Sequence, residues 1–430
     1  MNRIFFLNRF FPPDHSATSQ LVGDLATYLA SCGHDVHVIT SQQLYDDPQA
    51  RLPPQQTLSG VQVHRVITTN FGRSNLAGRA IDYFSFYVSA WRALLSAAQA
   101  DDVIVAMTDP PLVSLVAMRV AKRRGAHLVN WLQDIYPEIA VELGIPFLKG
   151  PILKMISNLR DRSLKTAAAN VVLGNHMAQK VASLGISKDR IHIIANWTED
   201  DDVVPVAASD NPLRREWGLE NKFVVGYSGN LGRAHEFNTV LVAADLLRTN
   251  SDIVFLCAGG GHLLKQLAKS VQERGLSSFR FMDYQPKANL KFSLSVPDVH
   301  WISLRPQVEG LIVPSKVYGI AAAGRPIIAI CAKNGEIAEM VEHYHCGIVV
   351  EPGDADALVN AIIQLRQDST LRASMGRQSR AMLEAQYTRR QALERWRDLL
   401  QRAGTYVNMT RCKRVGFHRW RGRSTAGPSH

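Results

Sequence analysis

Short apolar runs, bounded by polar and glycine-containing turns, alternate along this 430-residue chain with longer segments whose apolar positions recur every three or four residues. Runs of the first kind suit strands buried on both faces, and segments of the second kind suit helices with one apolar stripe. In the first half RIFFLNRFF predicts a strand, and residues 17–32 predict a helix with Leu21, Leu25 and Leu29 on one face. Gly33 stops that helix before the strand DVHVIT. DVIVAMT, HLVNWLQD, NVVLGN and IHIIAN continue the strand series. The acidic segment NWTEDDDVVPVAASDNP interrupts the rhythm, which restarts with KFVVGYSGN, IVFLCAGGG, FRFMDY, VHWISLRP, PIIAICA and CGIVVEPGD. Alternation of this kind predicts βα units and parallel sheets, hence an α/β chain of two Rossmann-like, doubly wound domains.

The expected boundaries are residues 1–203 for the first domain and 204–385 for the second, then a C-terminal helix over 386–402 and a basic, disordered tail over 403–430. Residues 369–401 read as helical throughout, with Leu393, Trp396 and Leu400 in a stripe. Two segments stand outside the βα rhythm. Residues 71–98 predict an aromatic-rich helix or helix pair, and residues 144–168 a helix that mixes Ile152, Met155, Ile156 and Leu159 with Lys149, Lys154, Arg160 and Arg162. A basic, amphipathic face suits contact with a membrane surface or ordinary packing on a core.

Composition changes this picture little, and charge changes it at one end. With 46% apolar and 20% charged residues the chain can bury substantial cores, and its length suits two domains. Of the net charge of +11, Arg402, Arg411, Lys413, Arg414, Arg419, Arg421 and Arg423 supply +7 against no acidic residue after position 400. That run lacks apolar periodicity, so it reads as a solvated appendage and not as a nucleic-acid interface. Anionic lipid headgroups are its alternative partner. The five cysteines show no C-x-x-C and no metal-ligand spacing, and they read as reduced packing residues of a cytosolic protein. Asn8 and Arg9 interrupt the first apolar run too early for a signal-peptide core, no stretch suits a spanning helix, and the histidines are too dispersed for a metal set.

In doubly wound sheets ligands bind beyond the carboxyl ends of the strands. After VHWISLRP, the segment QVEGLIVPSKVYGIAAAGRP places Pro314 and Ser315 at the expected start of a helix and Lys316 in its first turn. Exposed amides and an ammonium suit a phosphate or pyrophosphate, unless the triplet is only a capped helix with a solvated lysine. GYSGNLGRAHE and CAGGGHL are strand-to-helix turns in which Gly229, Asn230, Gly259 and Gly260 let a ligand approach the backbone. Arg233 and His235 are either a second phosphate contact or merely exposed. Neither turn has the G-x-G-x-x-G spacing or a following G-K-[ST], which disfavours a nicotinamide dehydrogenase and a P-loop ATPase. NWLQDIYPE places Asp134 past a strand end, where a carboxylate can orient or deprotonate a substrate hydroxyl, or cap the turn before Pro137. The loop FFPPDHSATS, with His15, Ser16 and Ala17, is expected to line the cleft.

The joint order of these motifs resembles the family 4 retaining glycosyltransferases of the GT-B fold, in particular bacterial enzymes of O-antigen, colanic-acid-type and other surface-polysaccharide assembly. The resemblance spans roughly residues 1–400 and is carried by FPPDHSATSQLVGDLATYLASCGHDVHVIT, NWLQDIYPE, GYSGNLGRAHEFNTVLVAA, CAGGG and VPSKVYGIAAAGRPIIAI with CGIVVEPGD after it. It implies two Rossmann-like domains facing a central cleft, a nucleotide-sugar donor held by the second and an acceptor held by the first. Arg233, Ser315 and Lys316 would face the diphosphate, Glu309 the sugar hydroxyls, Gly259 and Gly260 the nucleotide, and His15, Ser16 and Ala17 the acceptor. Retention at the anomeric carbon, no metal and no cofactor besides the donor substrate are further implications. The family's Glu-x7-Glu pair is incomplete, with Leu311 and Gly319 at the two positions and Glu309 two residues before the first. Gln133 replaces the histidine of a His-Asp pair, Ser16-Ala17 a Gly-Gly, and His235 a phosphate-binding lysine.

The expected function is therefore transfer of a sugar to a lipid-linked saccharide by a peripheral protein at the cytoplasmic face of the inner membrane, without nucleic acid. A nucleotide-sugar 2-epimerase of the same fold and a non-catalytic partner subunit are the alternatives.

Overall fold

The computed structural model describes residues 2–72, 76–145 and 148–416. One sheet contains β1 (Ile4–Leu7), β2 (Val36–Ser41), β3 (Gln55–Leu58), β4 (Val61–Val66), β5 (Val103–Ala106), β6 (His127–Trp131), β7 (Ala169–Val172) and β8 (Ile191–Ile193). Their order is β3-β4-β2-β1-β5-β6-β7-β8. The other contains β9 (Phe223–Asn230), β10 (Ile253–Gly260), β11 (Phe279–Met282), β12 (Val299–Ser303), β13 (Ile327–Ile330) and β14 (Gly347–Val350), in the order β11-β10-β9-β12-β13-β14. β1 lies in parallel between β2 and β5, and β9 in parallel between β10 and β12.

Every strand read from the apolar runs is present, and the central ones are buried as continuous apolar runs should be: IFFL of β1 and IIAI of β13 are buried at every position, while β8, β11 and β14 are partly exposed. The hairpin β3–β4 is an addition. β3 is QQTL, polar and largely exposed, so no apolar run announces it; Ser59 and Gly60, both at positive φ, turn it into β4.

Contact density divides the chain into two units, Met1–Trp131 with Arg162–Asn170 and Glu394–His430, and Leu132–Asp161 with Val171–Leu393. The boundary expected at 203 thus falls inside the second unit. In the first unit Phe5, Leu7, Ile104 and Ala106 from the sheet pack against Phe86, Ala90 and Leu94 of the helix Leu76–Ala97 and Val116, Ala117 and Val120 of the helix Ser114–Arg124. The aromatic segment is therefore one core-facing helix; residues 73–75 lie outside the described ones. Gly23 in the helix Ala17–Ser31 makes room for the loop before it, since a β-carbon there would stand 2.5 Å from Pro12 Cγ. In the second unit Val225, Tyr227, Phe255 and Trp301 face Val240, Leu241 and Ala244 of the helix Asn238–Leu246 and Leu358 and Ile362 of the helix Ala355–Gln367.

The end of the chain departs in part from the sequence reading. Residues 369–401 are helical as read, apart from Thr388: Ser369–Met382 passes through a π-helical turn, Leu383–Tyr387, into a helix Arg389–Gly416, which starts three residues after the expected 386. The segment expected to be disordered from 403 continues that helix to 416, and residues 417–430 lie outside the described ones. Trp396 accounts for the anchoring, fully buried with its ring 4.5 Å from that of Trp131. The acidic linker is likewise tied down: Arg380 donates to Val203 O at 3.2 Å and Arg325 to Val206 O at 2.7 Å.

Candidate functional site

The second sheet reverses its strand order between β9 and β12. Such a switch point opens a crevice beyond the strand ends, where the chain leaves the two strands in opposite directions. The loops that follow β9 and β12 meet there. His235 and Arg305 lie on these loops, the Arg305 amide donating to Ala234 O at 2.9 Å and the Glu236 amide to Ser303 Oγ at 3.1 Å.

A cavity of about 730 Å³ lies over this point, with Arg233, His235, Glu236, Phe237, His262 and Arg305 among its lining residues. Arg233 and Arg305 make no ion pair among the described residues. Glu236 turns one carboxylate oxygen onto the Thr239 amide at 2.7 Å, at the start of the helix, and leaves Oε2 buried without a partner. The cavity is therefore lined by two guanidinium groups that lack an ion-pair partner among the described residues, with the Glu236 carboxylate beside them.

Within the cavity wall, His235 Nδ1 lies 2.5 Å from Ser303 O and Nε2 lies 3.1 Å from Lys316 Nζ. Nζ is also 5.4 Å from the centroid of the Tyr227 ring. Burial pushes the His235 imidazole down to about 3, with the Lys316 charge adding to the effect, and burial lowers the Lys316 ammonium to about 8.

The expected helix at Lys316 exists as Lys316–Ala322, preceded by Ser315. Ser315 is exposed, sits in the αR region and makes no cap with its side chain, and Pro314 is buried two residues before the first residue of the helix. The capping reading of the triplet is thereby corrected, because Ser315 in a helical conformation does not project its hydroxyl back onto the first free amides.

The glycines bring two strand ends together. β9 and β10 remain paired to their last residues, Gly229 opposite Gly259 and Asn230 opposite Gly260. A β-carbon at Gly259 would overlap Gly229 O, and one at Gly261 would overlap Asn230 Oδ1 and stand 2.6 Å from Leu231 O. Gly259 (φ 137°) and Gly261 (φ 115°) thus let two strand ends approach each other. Gly229 keeps the Lys316 stem close, with Cε 3.2 Å from where its β-carbon would be, and the exposed Tyr284 ring lies over Gly260.

Asp134 lies on a short antiparallel bridge to Ile312, with the Ile135 amide donating to Leu311 O at 2.9 Å. This brings it beside the stretch leading to Pro314. The helix Glu138–Glu142 that follows has Pro137 at its N-cap position. Gln133 and Asn196 exchange two amide hydrogen bonds, of 3.1 and 2.7 Å. Glu309 Oε1 accepts from the Glu336 amide at 2.9 Å, and burial raises the pKa of this carboxyl. Glu336 in turn accepts from the amides of Asn175 and His176 at 3.0 and 2.7 Å, opening the helix Asn175–Ser183. Sequence reasoning missed Arg305, Glu236 and Glu336. Arg305 had a signal, a lone cation just past a strand end; the other two had none.

His15, Ser16 and Ala17 belong to the first unit, where His15 and Ala17 are exposed and Ser16 donates through its amide and hydroxyl to Asp14, at 2.8 and 2.5 Å. The Asp14 carboxylate also accepts from the Tyr45 amide at 2.5 Å, so one buried residue shapes this loop. Among the described residues no three His, Cys, Asp or Glu side chains form a metal-ligand group, and no helix is long and apolar enough to cross a membrane.

Two family descriptions match the chain: "Glyco_trans_4_4, glycosyl transferase 4-like domain" over residues 17–197 and "glycosyl transferases group 1" over residues 209–382. The chain is 27% identical over 368 residues to the putative colanic acid biosynthesis glycosyl transferase WcaI of Escherichia coli, covering 82% of this chain and 89% of that one. It is 27% identical over 305 residues to the probable glycosyltransferase WbjE of Pseudomonas aeruginosa, covering 70% and 75%. Among solved structures, Anabaena HepE in complex with UDP and glucose superposes with a TM-score of 0.68 at 17% identity, over 93% of this chain and 100% of that one.

Proposed function

From the premise that this chain belongs to the family 4 glycosyltransferases of the GT-B fold, we propose that it moves a sugar, with retention, from a nucleotide sugar to a lipid-linked saccharide in surface-polysaccharide biosynthesis. The observation that carries the donor half of this reading is the set of cations at the switch point. Arg233 and Arg305 line one cavity, and Lys316 is attached to its wall through His235. A diphosphate leaving group gains negative charge as the sugar bond breaks, and preorganised cations in a partly dry site stabilise that charge most. On this reading no metal is needed, and release of nucleoside diphosphate persists in EDTA.

Asp134 orients the acceptor hydroxyl beside the Ile312 bridge, and Glu309 is the carboxylate assigned to the donor hydroxyls. Replacing Asp134 by Asn removes the charge while keeping the shape. Turnover then falls by about a hundredfold, the ordinary range for a lost general base, with donor affinity little changed; near-wild-type transfer would show that the bridge, and not the carboxylate, is what the position supplies.

The acceptor half rests on the relatives' names and on the helix Gly150–Thr166, where Ile152 and Met155 are exposed next to Lys149 and Lys154. The deciding experiment incubates the protein with UDP-, GDP-, dTDP- and ADP-sugars, with and without a membrane extract, and follows nucleoside diphosphate release. Release that requires the extract supports transfer to a lipid-linked acceptor. A changed sugar with no acceptor requirement would establish the epimerase instead.

A further inference from the structure

We propose that His235 is a positioning residue for Lys316, holding its ammonium in one orientation toward the donor diphosphate without touching the donor itself. This rests on the reading of Lys316 as a diphosphate contact.

Both ring nitrogens of His235 are occupied inside the protein. Ser303 O can only accept, so Nδ1 carries the proton and Nε2 offers its lone pair; Lys316 has only donors, and the two match. The tautomer is thus set by the last residue of β12, a backbone atom that cannot rotate away. The Tyr227 ring packs edge-on to the imidazole, with centroids 6.1 Å apart, and its face receives the same ammonium. Gly229 leaves the stem of Lys316 room to lie against β9. One N–H of the ammonium is therefore spent on His235, one flank lies on an aromatic face, and the rest is free for a ligand. A free lysine side chain would lose rotamer freedom on binding; here that ordering is already present in the unliganded protein. Only a neutral imidazole can accept from an ammonium, and burial, which pushes His235 down to about 3, keeps it neutral above that.

Two amides separate the roles of the two nitrogens. His235→Asn places a polar atom near Nδ1 and keeps the bond to Ser303 O, but cannot reach Lys316. His235→Gln reaches the position of Nε2 and restores an acceptor for Lys316. UDP and GDP are titrated calorimetrically into the full-length wild type, both single variants, Lys316→Ala, and the double variant that combines His235→Asn with Lys316→Ala, with thermal melts confirming folding. A hydrogen bond to a charged group is worth enough that its loss weakens binding about tenfold. The expected result is an approximately tenfold loss for His235→Asn, recovery to within about threefold for His235→Gln, and no further loss when His235→Asn is added to Lys316→Ala. The opposite ranking, with His235→Asn like wild type and His235→Gln weakened, would reduce His235 to a tether for Ser303. An undiminished effect in the Lys316→Ala background would make it a ligand contact. The crystal structure of unliganded His235→Asn decides the point independently: Lys316 in several rotamers supports the proposal, and an unchanged single rotamer overturns it. Wild type that binds neither of these, nor dTDP or ADP, sinks the diphosphate reading, while the Lys316 rotamers still report on the positioning.

Discussion

Lys316 is a cation held where cations are disfavoured. Its ammonium faces the neutral His235 and the Tyr227 ring, whose hydroxyl burial holds well above its ordinary range, and no carboxylate among the described residues pairs with it. The fold therefore sustains an unpaired charge that a diphosphate would neutralise. Lys316→Ala removes a charge-assisted contact worth about 1.5–3 kcal/mol, so affinity for the nucleoside diphosphate falls about 10- to 100-fold; unchanged affinity in calorimetry would remove the phosphate assignment. The depressed pKa adds a signature in pH. Above about pH 8 the free protein gives up the Lys316 proton, and donor affinity declines as pH rises. Stability moves the other way. Between about 8 and 10.5 the unfolded chain keeps that proton and the folded chain has lost it, so the unfolded state binds more protons and the Lys316 contribution to stability rises with pH. Comparing wild type with Lys316→Met across this range, by titration of nucleotide and by thermal melts, reads both trends. Parallel trends would show that some other group titrates.

At the scale of elements, the strand ends of the second sheet carry the site, and glycines decide how closely they approach. Gly261→Ala combines a strained φ of 115° with a β-carbon forced onto Asn230 Oδ1 and Leu231 O, so the β9 and β10 ends have to separate. A loss of about 3 kcal/mol or more is expected from strain and overlap together. Gly33→Ala, at φ 84° with open space around it, costs only the strain, about 1 kcal/mol. Denaturant midpoints compare the two, and equal losses would mean that the strand ends give way without cost. The strands themselves were legible because continuous apolar runs are a local property, as in IIAI of β13. Arg233 was found as a cation in the turn after a strand, and Lys316 as one in the first turn of an expected helix, whereas the strand order that makes the switch point is visible only in the structure. What stayed hidden depends on partners far along the chain. Glu336 closes the amides of a helix 160 residues earlier, and Gly174 lacks a side chain because that carboxylate fills the place. His235 reads as a phosphate contact or an exposed residue in GRAHE until Ser303 and Lys316 are brought to it, from 68 and 81 positions away. The glycines of CAGGG were visible as glycines, but whether they face a ligand or another strand is decided by pairing alone.

At the scale of the whole molecule, charge and exposed apolar surface bear on where the protein works. The chain carries +11, with +7 of it after residue 400. On the helix Gly150–Thr166, Ile152 and Met155 are 52% and 56% exposed, with Lys149 and Lys154 exposed beside them. Core packing explains neither side chain, since a solvated helix face has no need of two large apolar residues, and their basic neighbours match an anionic bilayer surface. Each side chain inserted among acyl chains gains about 1–2 kcal/mol, and a glutamate in its place adds repulsion. Ile152→Glu with Met155→Glu should therefore reduce binding to phosphatidylglycerol-containing vesicles at least about tenfold in a sedimentation assay, leaving nucleotide binding intact. Raising the salt should weaken wild-type binding, because the basic residues act through screened attraction. If the double variant sediments like wild type, the contact belongs to the basic end of the chain and not to this helix. If wild type itself stays in solution with anionic vesicles, the acceptor has to come to the protein by another route, and the peripheral-membrane part of the functional proposal falls while the donor site stands.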